Sequence, residues 1–245
     1  MGTLKTQDAG ERRQFRYLDL VMAAFVTVLV VSNVASSAKI IDLGFSIAGV
    51  RMAFDGGTLL FPLSYIFGDV LTEVYGFKGS RRVIWAGFAA LAGASFIFWL
   101  VRVLPGEASW QAQVGDARYV AVLGGMSSGG LAIASLLGYW AGEFSNSFIL
   151  AKMKLLTRGK WLWMRTIGST IVGELVDTAV FVTVASAAGV FGWGLFASLV
   201  LTNYLFKCSV EALMTPATYF AVARLKKAEG VEIFDRGTNF NPFAR

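Results

Sequence analysis

LDLVMAAFVTVLVVSNVASSA, residues Leu18–Ala38, decides the fold. A bilayer's hydrocarbon core is about 30 Å thick and takes about 20 helical residues to cross, which this run supplies with one charge, Asp19, at its edge. Five further runs qualify outward from it: Thr58–Tyr75, Val83–Val103, Val120–Leu150, Leu162–Gly189 and Trp193–Val222. Pro62 and Gly68 predict a kink or a re-entrant path in the second. The fourth and sixth exceed the need, which predicts tilt or an interfacial extension. Over 245 residues the chain is 56% hydrophobic and 16% charged, where soluble domains average about 45–50% and about 25%. Too few charges remain to cover a soluble surface, so a soluble enzyme, a disordered regulator and a disulfide scaffold are excluded. The expectation is an all-α integral membrane protein of six transmembrane helices. A basic tail, residues 1–17, precedes a six-helix domain, 18–223, and a tail, 224–245, follows. Between Lys39 and Asp55 loose alternation around Gly44 and Gly49 predicts a short external hairpin or an interfacial cap.

A signal peptide is the first alternative, because Ala35-Ser36-Ser37-Ala38 follows an apolar run behind a basic tail. The run outlasts an h-region of about 7–15 residues and holds Asn33, so it reads as a span. Lysine and arginine distribution sets the orientation. Four lie in the N-terminal tail, three follow the second run (Lys78, Arg81, Arg82), five lie between the fourth run and the start of the fifth (Lys152, Lys154, Arg158, Lys160, Arg165), and five in the C-terminal tail. Only Lys39, Arg51, Arg102 and Arg118 lie on the other side. The excess places both termini in the cytoplasm. The net charge of +6 reflects these loops, so no nucleic-acid partner is expected. There is no histidine and one cysteine, Cys208, which removes most zinc sites, imidazole relays and intrachain disulfides.

Ionisable groups inside a membrane cost about 2.5–3.5 kcal/mol each at the centre and are functional candidates by default. The second run holds Asp69 and Glu73, four apart on one face, near enough to the cytoplasmic interface to be solvated. The fourth holds Glu143 and Asn146, the fifth Glu174 and Asp177, and the sixth Lys207 and Glu211 with Asn203 a turn earlier. Ser32, Asn33, Ser36 and Ser37 form a polar stripe on the first. Some of these join helices; Lys207 is expected to pair with an acid, with Glu211 on its own face as the nearest choice. Five acids on the second, fourth and fifth runs, plus one lysine, exceed what packing needs and predict a central pocket. Gly68-Asp69, Gly142-Glu143 and Gly173-Glu174 repeat a Gly-acid step that lets a backbone or flat ligand approach.

A longer pattern encloses these pairs. SNVASSAK (Ser32–Lys39) and SNSFILAK (Ser145–Lys152) share SN-x4-AK, and GDVLTE (Gly68–Glu73) matches GELVDT (Gly173–Thr178). Runs one to three then repeat as four to six, and three spans per half give opposite orientations, a 3+3 inverted repeat of the kind found in secondary transporters. Rival readings explain less. An intramembrane enzyme lacks histidine, and Asp69 with Asp177 sit in no protease motif, so no catalytic residue, cofactor or metal is expected. A scaffold leaves five acids unexplained. A substrate-capture subunit that borrows an energising partner is the alternative to a self-sufficient carrier. Acidic acceptors and the rings of Phe61, Tyr65, Phe67, Phe144 and Phe148 suit a flat solute that either bears N–H donors or is cationic. Small residues at Ala86-Gly87, Ala90 and Gly93-Ala94 suit a homodimer contact.

FPLSYIFGDVLTEVYG (Phe61–Gly76), GEFSNSFILAKMK (Gly142–Lys154) and RTIGSTIVGELVDT (Arg165–Thr178) resemble signature stretches of the bacterial queuosine precursor transporters, within the vitamin uptake transporter family. The resemblance runs from about Leu18 to Arg224. It implies a multi-pass protein of the bacterial inner membrane, in contact with lipid, that imports 7-cyano-7-deazaguanine and its aminomethyl relative for salvage into queuosine. It also implies that Asp69, Glu73, Glu143, Asn146, Glu174 and Asp177, which stand in matching motifs, bind the base. Asn33, Lys207, Phe61 and Tyr65 join them from the reading of the residues.

Overall fold

The computed structural model describes residues 5–8, 15–47 and 50–244. In chain order these form β1 (Lys5–Asp8), α1 (Leu18–Ala38), β2 (Ile40–Ile47), β3 (Val50–Asp55), α2 (Phe61–Val103), α3 (Ala108–Gln113), α4 (Gly115–Ser127), α5 (Gly129–Leu156), α6 (Leu162–Ala187), α7 (Phe196–Glu229) and β4 (Val231–Phe234). Short 3-10 turns precede α2 and α7. Among the described residues, four helical stretches are long and apolar enough to cross a membrane: Leu18–Ala38, Ile66–Val103, Gly115–Leu156 and Leu162–Ala187. Exposed apolar side chains such as Leu20, Phe96, Ile133 and Leu205 cover the outside of the bundle, as lipid contact requires.

α2 is one helix only by continuity. Gly76 has φ 71° and ψ 173°, a conformation essentially reserved for glycine. Thr72 and Ser80, eight residues apart, hydrogen-bond through their hydroxyls at 2.8 Å. A straight helix would separate them by about 12 Å, so the chain folds back at Gly76 into limbs 61–75 and 77–103. The predicted runs ending at Tyr75 and beginning at Val83 are these limbs. The second limb's first amide, Phe77 N–H, is capped from far along the chain by both oxygens of Asp235, each at 3.1 Å. Burial pushes the Asp235 carboxyl up, while the Phe77 amide and the Thr238 hydroxyl pull it back. A Cβ on Gly76 would lie 2.9 Å from Ile233. Gly76→Ala is therefore expected to cost about 1–3 kcal/mol from backbone strain alone, read as a lower melting temperature in detergent; an unchanged melt would refute the turn.

Side-chain contacts sort the helix ends. At one end Glu229, closing α7, accepts the amides of Arg16 (3.0 Å) and Tyr17 (2.8 Å) ahead of α1, and Tyr75 donates to it at 3.1 Å. β1 and β4 pair in parallel there, Lys5 opposite Val231. The segment beyond β4 lies along α2, with Arg81 donating to the carbonyls of Asn239 and Asn241 and Trp85 to that of Pro242. At the other end Ser37 donates to Val122 at 3.0 Å and Arg102 to Ser127 at 3.4 Å. The predicted hairpin is present as β2 and β3, antiparallel with Ile41 opposite Phe54; its Gly49 lies outside the described residues. α3 starts on Glu107, whose carboxylate accepts the Ser109 hydroxyl and the amides of Ser109 and Trp110 and is held down at about 2 by them.

Several boundaries differ from expectation. The predicted fourth run is interrupted at Ser128, which takes extended backbone (φ −86°, ψ 125°) between α4 and α5. The last helix starts at Phe196 and continues to Glu229, past Val222, so Arg224, Lys226 and Lys227 are helical rather than part of a tail. Both terminal segments carry strands. Gly87 faces inward, its Cβ direction occupied by Tyr139, Leu29 and Phe25, so that part of the small-residue face serves packing within the chain.

Candidate substrate site

α1, α2, α5, α6 and α7 surround a cavity of about 340 Å³, with Gly125 and Met126 of α4 at its margin. The volume falls in the lower part of the range for small-molecule sites, about 300–1,000 Å³. Helical spacing explains which side chains reach it. Ser32, Asn33, Ser36 and Ser37 enter from one face of α1, Glu143 and Asn146 from α5, Thr170, Glu174 and Asp177 from α6, and Asn203 and Lys207 from α7.

Glycines set the close approach of α5 and α6. A Cβ on Gly142 would lie 2.5 Å from Asp177 Cβ, and one on Gly173 2.7 Å from Asn146 Cβ. A Cβ on Gly68 would meet Glu143 Oε2 at 3.2 Å. All three Gly-acid steps thus stand at helix contacts. Gly173→Ala is expected to force the pair apart, costing about 1–3 kcal/mol as overpacking does and displacing Asn146; retained stability together with retained transport would contradict this.

Charge is unevenly satisfied around the cavity. Lys207 pairs with Glu174 at 2.9 Å and with Asp177. Its partners come from α6 and not from Glu211 on its own helix, because the lysine reaches across the cavity. Glu143 makes no hydrogen bond or ion pair with any described residue, and its carboxylate is an open acceptor of the site, as is Asn146 Oδ1. Asn33 spends one amide hydrogen on the Leu29 carbonyl (2.8 Å).

Two acids of the second run are not in the wall. Asp69 is 1% exposed and sits behind Asn146, whose amide donates to Asp69 Oδ1 at 3.4 Å. Glu73 is 0% exposed. Its Oε1 contacts Arg165 at 2.8 Å, Lys226 at 2.7 Å and Lys154 at 3.3 Å, and Glu232 joins through Lys226 (2.5 Å) and Lys154 (3.4 Å). Neither acid is solvated as the interface reading supposed. Three bases counted as orientation charges are thus internal counter-ions where the ends of α5, α6 and α7 meet the turn of α2.

The aromatic assignment changes as well. The side chains of Phe61 and Tyr65 lie outside the described residues. Phe144 packs on Phe77, Trp85 and Trp140, and Phe148 on Phe240. Among the described residues the rings lining the cavity are Tyr139 and Phe181, with Tyr139 donating to the Ile84 carbonyl at 3.1 Å. Each stands one helical turn from a cavity acid, Tyr139 before Glu143 and Phe181 after Asp177, a spacing that could have found them. Among the described residues no group of three or more acidic or cysteine side chains is placed to hold a metal ion.

Comparison with known families agrees with this architecture. Residues 55–221 match the family model described as "Putative vitamin uptake transporter", and the chain belongs to that family. It is 25% identical over 202 residues to a protein of Bacillus subtilis named "Probable queuosine precursor transporter", covering 82% of each chain. A Haemophilus influenzae protein of the same name is 24% identical over 168 residues, 68% of this chain and 67% of its own. No solved structure matches. The protein is accordingly a transporter and not an enzyme, and a multi-pass protein of the bacterial inner membrane.

Proposed function

We propose that this protein imports queuosine precursors, 7-cyano-7-deazaguanine and its aminomethyl relative, and that the cavity holds the base. The open carboxylate of Glu143 carries this reading. A deazaguanine presents N1–H and an exocyclic amine on one edge, which a carboxylate accepts through two charge-assisted bonds. Asn33 and Asn146 supply the remaining polar contacts. Tyr139 and Phe181 flank the ring, and Glu174, Asp177 and Lys207 form a fixed polar wall. The names of both relatives support the cargo.

The same reading has six crossings with both termini cytoplasmic, the two limbs of α2 counting as two. The cavity then opens toward the end bearing the hairpin, and the Glu73 cluster seals the cytoplasmic end. Import requires that seal to part as one half rocks on the other. Superposition of residues 18–103 on 129–229 through an axis in the membrane plane tests the inverted repeat. The deciding experiment supplies 7-cyano-7-deazaguanine to cells unable to make it that carry only this gene. Queuosine should return to their tRNA; its absence, with the protein in the membrane, would remove the cargo assignment.

A further inference from the structure

The cavity does not account for Glu211. It lies on α7, is 1% exposed, and neither oxygen has a hydrogen-bond partner among the described residues. Asp69 Oδ2 is likewise unpartnered. These two carboxyls face one another across the α2–α7 contact, within hydrogen-bond reach. A carboxyl–carboxyl contact is a hydrogen bond only when one member carries a proton, and two ionised carboxylates cannot share a dry site.

The surrounding charges offer no substitute. Glu143 faces the pair from α5, Glu174 from α6 and Cys208 from α7 itself, with Lys207 beside Cys208. The lone ammonium is engaged by Glu174 and Asp177. A route to the solute exists, because Asn146 both lines the cavity and donates to Asp69.

We propose that Asp69 and Glu211 form a proton-binding pair that couples import to the proton gradient, with Asn146 relaying occupancy of the cavity to the pair. One proton loads onto the pair on the outer side and leaves to the cytoplasm as the solute does. This rests on the import reading above, and the test separates the two.

Purified protein is reconstituted in vesicles with the membrane potential clamped at zero. With the outside one pH unit more acidic, one proton per solute supports up to about tenfold accumulation of labelled 7-cyano-7-deazaguanine. Glu211→Gln is expected to bring the ratio to about one while exchange of internal for external solute continues. Infrared spectra of the wild type should show the carbonyl band of a protonated carboxyl, lost in both Glu211→Gln and Asp69→Asn, with or without solute. That band in a protein that exchanges no solute would uphold the pair and sink the cargo. Brisk exchange without pH-driven accumulation, accumulation driven by sodium alone, or a Glu211→Gln variant that still concentrates solute tenfold would each overturn the pair.

Discussion

Glu73→Gln unfolds the protein rather than slowing it. The substitution keeps the side chain's shape but removes the charge on which Lys154, Arg165 and Lys226 converge, leaving Glu232 as the remaining acid. Breaking one partner out of a buried ion pair costs about 3–5 kcal/mol, because the charge left behind keeps its desolvation cost without its compensation. The expected readout is poor recovery from the membrane and a sharply lower melting temperature in detergent. A second substitution, Lys226→Gln, should restore part of the loss, since contacting residues are not additive. Full stability of Glu73→Gln alone would show that the cluster is not what closes this end.

Glu143→Gln should have the opposite profile. Hydrogen bonds to a charged group contribute about 1.5–3 kcal/mol each, against about 0.5–1.5 for neutral ones. Losing the charge from two such bonds weakens solute binding about 100-fold, and the new amide would also oppose a donor on the base. Because Glu143 pairs with no described residue, the fold is not expected to need its charge, and the melting temperature should hold or rise. Titration of the base into purified protein measures the first effect and thermal unfolding the second. Undiminished affinity would remove Glu143 from the site, and joint loss of affinity and stability would make it structural.

Where hydrophobicity alone sets an element, the sequence was readable. Leu18–Ala38 is a helix with the expected ends, and Leu162 opens α6 as expected. Where water resumes, the apolar signal stops before the helix does: Ala223–Glu229 is polar yet continues α7, because its residues favour helix and Lys226 is held by Glu73 and Glu232. The break at Ser128 had a visible cue in the flanking glycine pairs of GGMSSGG, which an unbroken apolar run concealed. Site residues divide on the same principle. Helical spacing put Glu143 with Asn146 and Glu174 with Asp177, but it also grouped Asp69 with Glu73. Which neighbour each of those two meets depends on where other helices end, and periodicity within one helix carries no such information. The partners of Lys207 and the facing of Asp69 and Glu211 are likewise contacts between distant segments.

The pairing of Lys5 with Val231 has a consequence for biosynthesis. The first strand to leave the ribosome finds its partner only after every helix has been made and threaded into the bilayer. The Phe77 amide waits in the same way for Asp235, 158 residues later. Until Glu229 and Asp235 have been made, the entry to α1 lacks the first and the fold-back of α2 lacks the second. A nascent chain stalled before Glu229 is therefore an open structure at this end of the bundle, recognisable to membrane proteases, whereas a chain that has reached β4 and Asp235 is latched there.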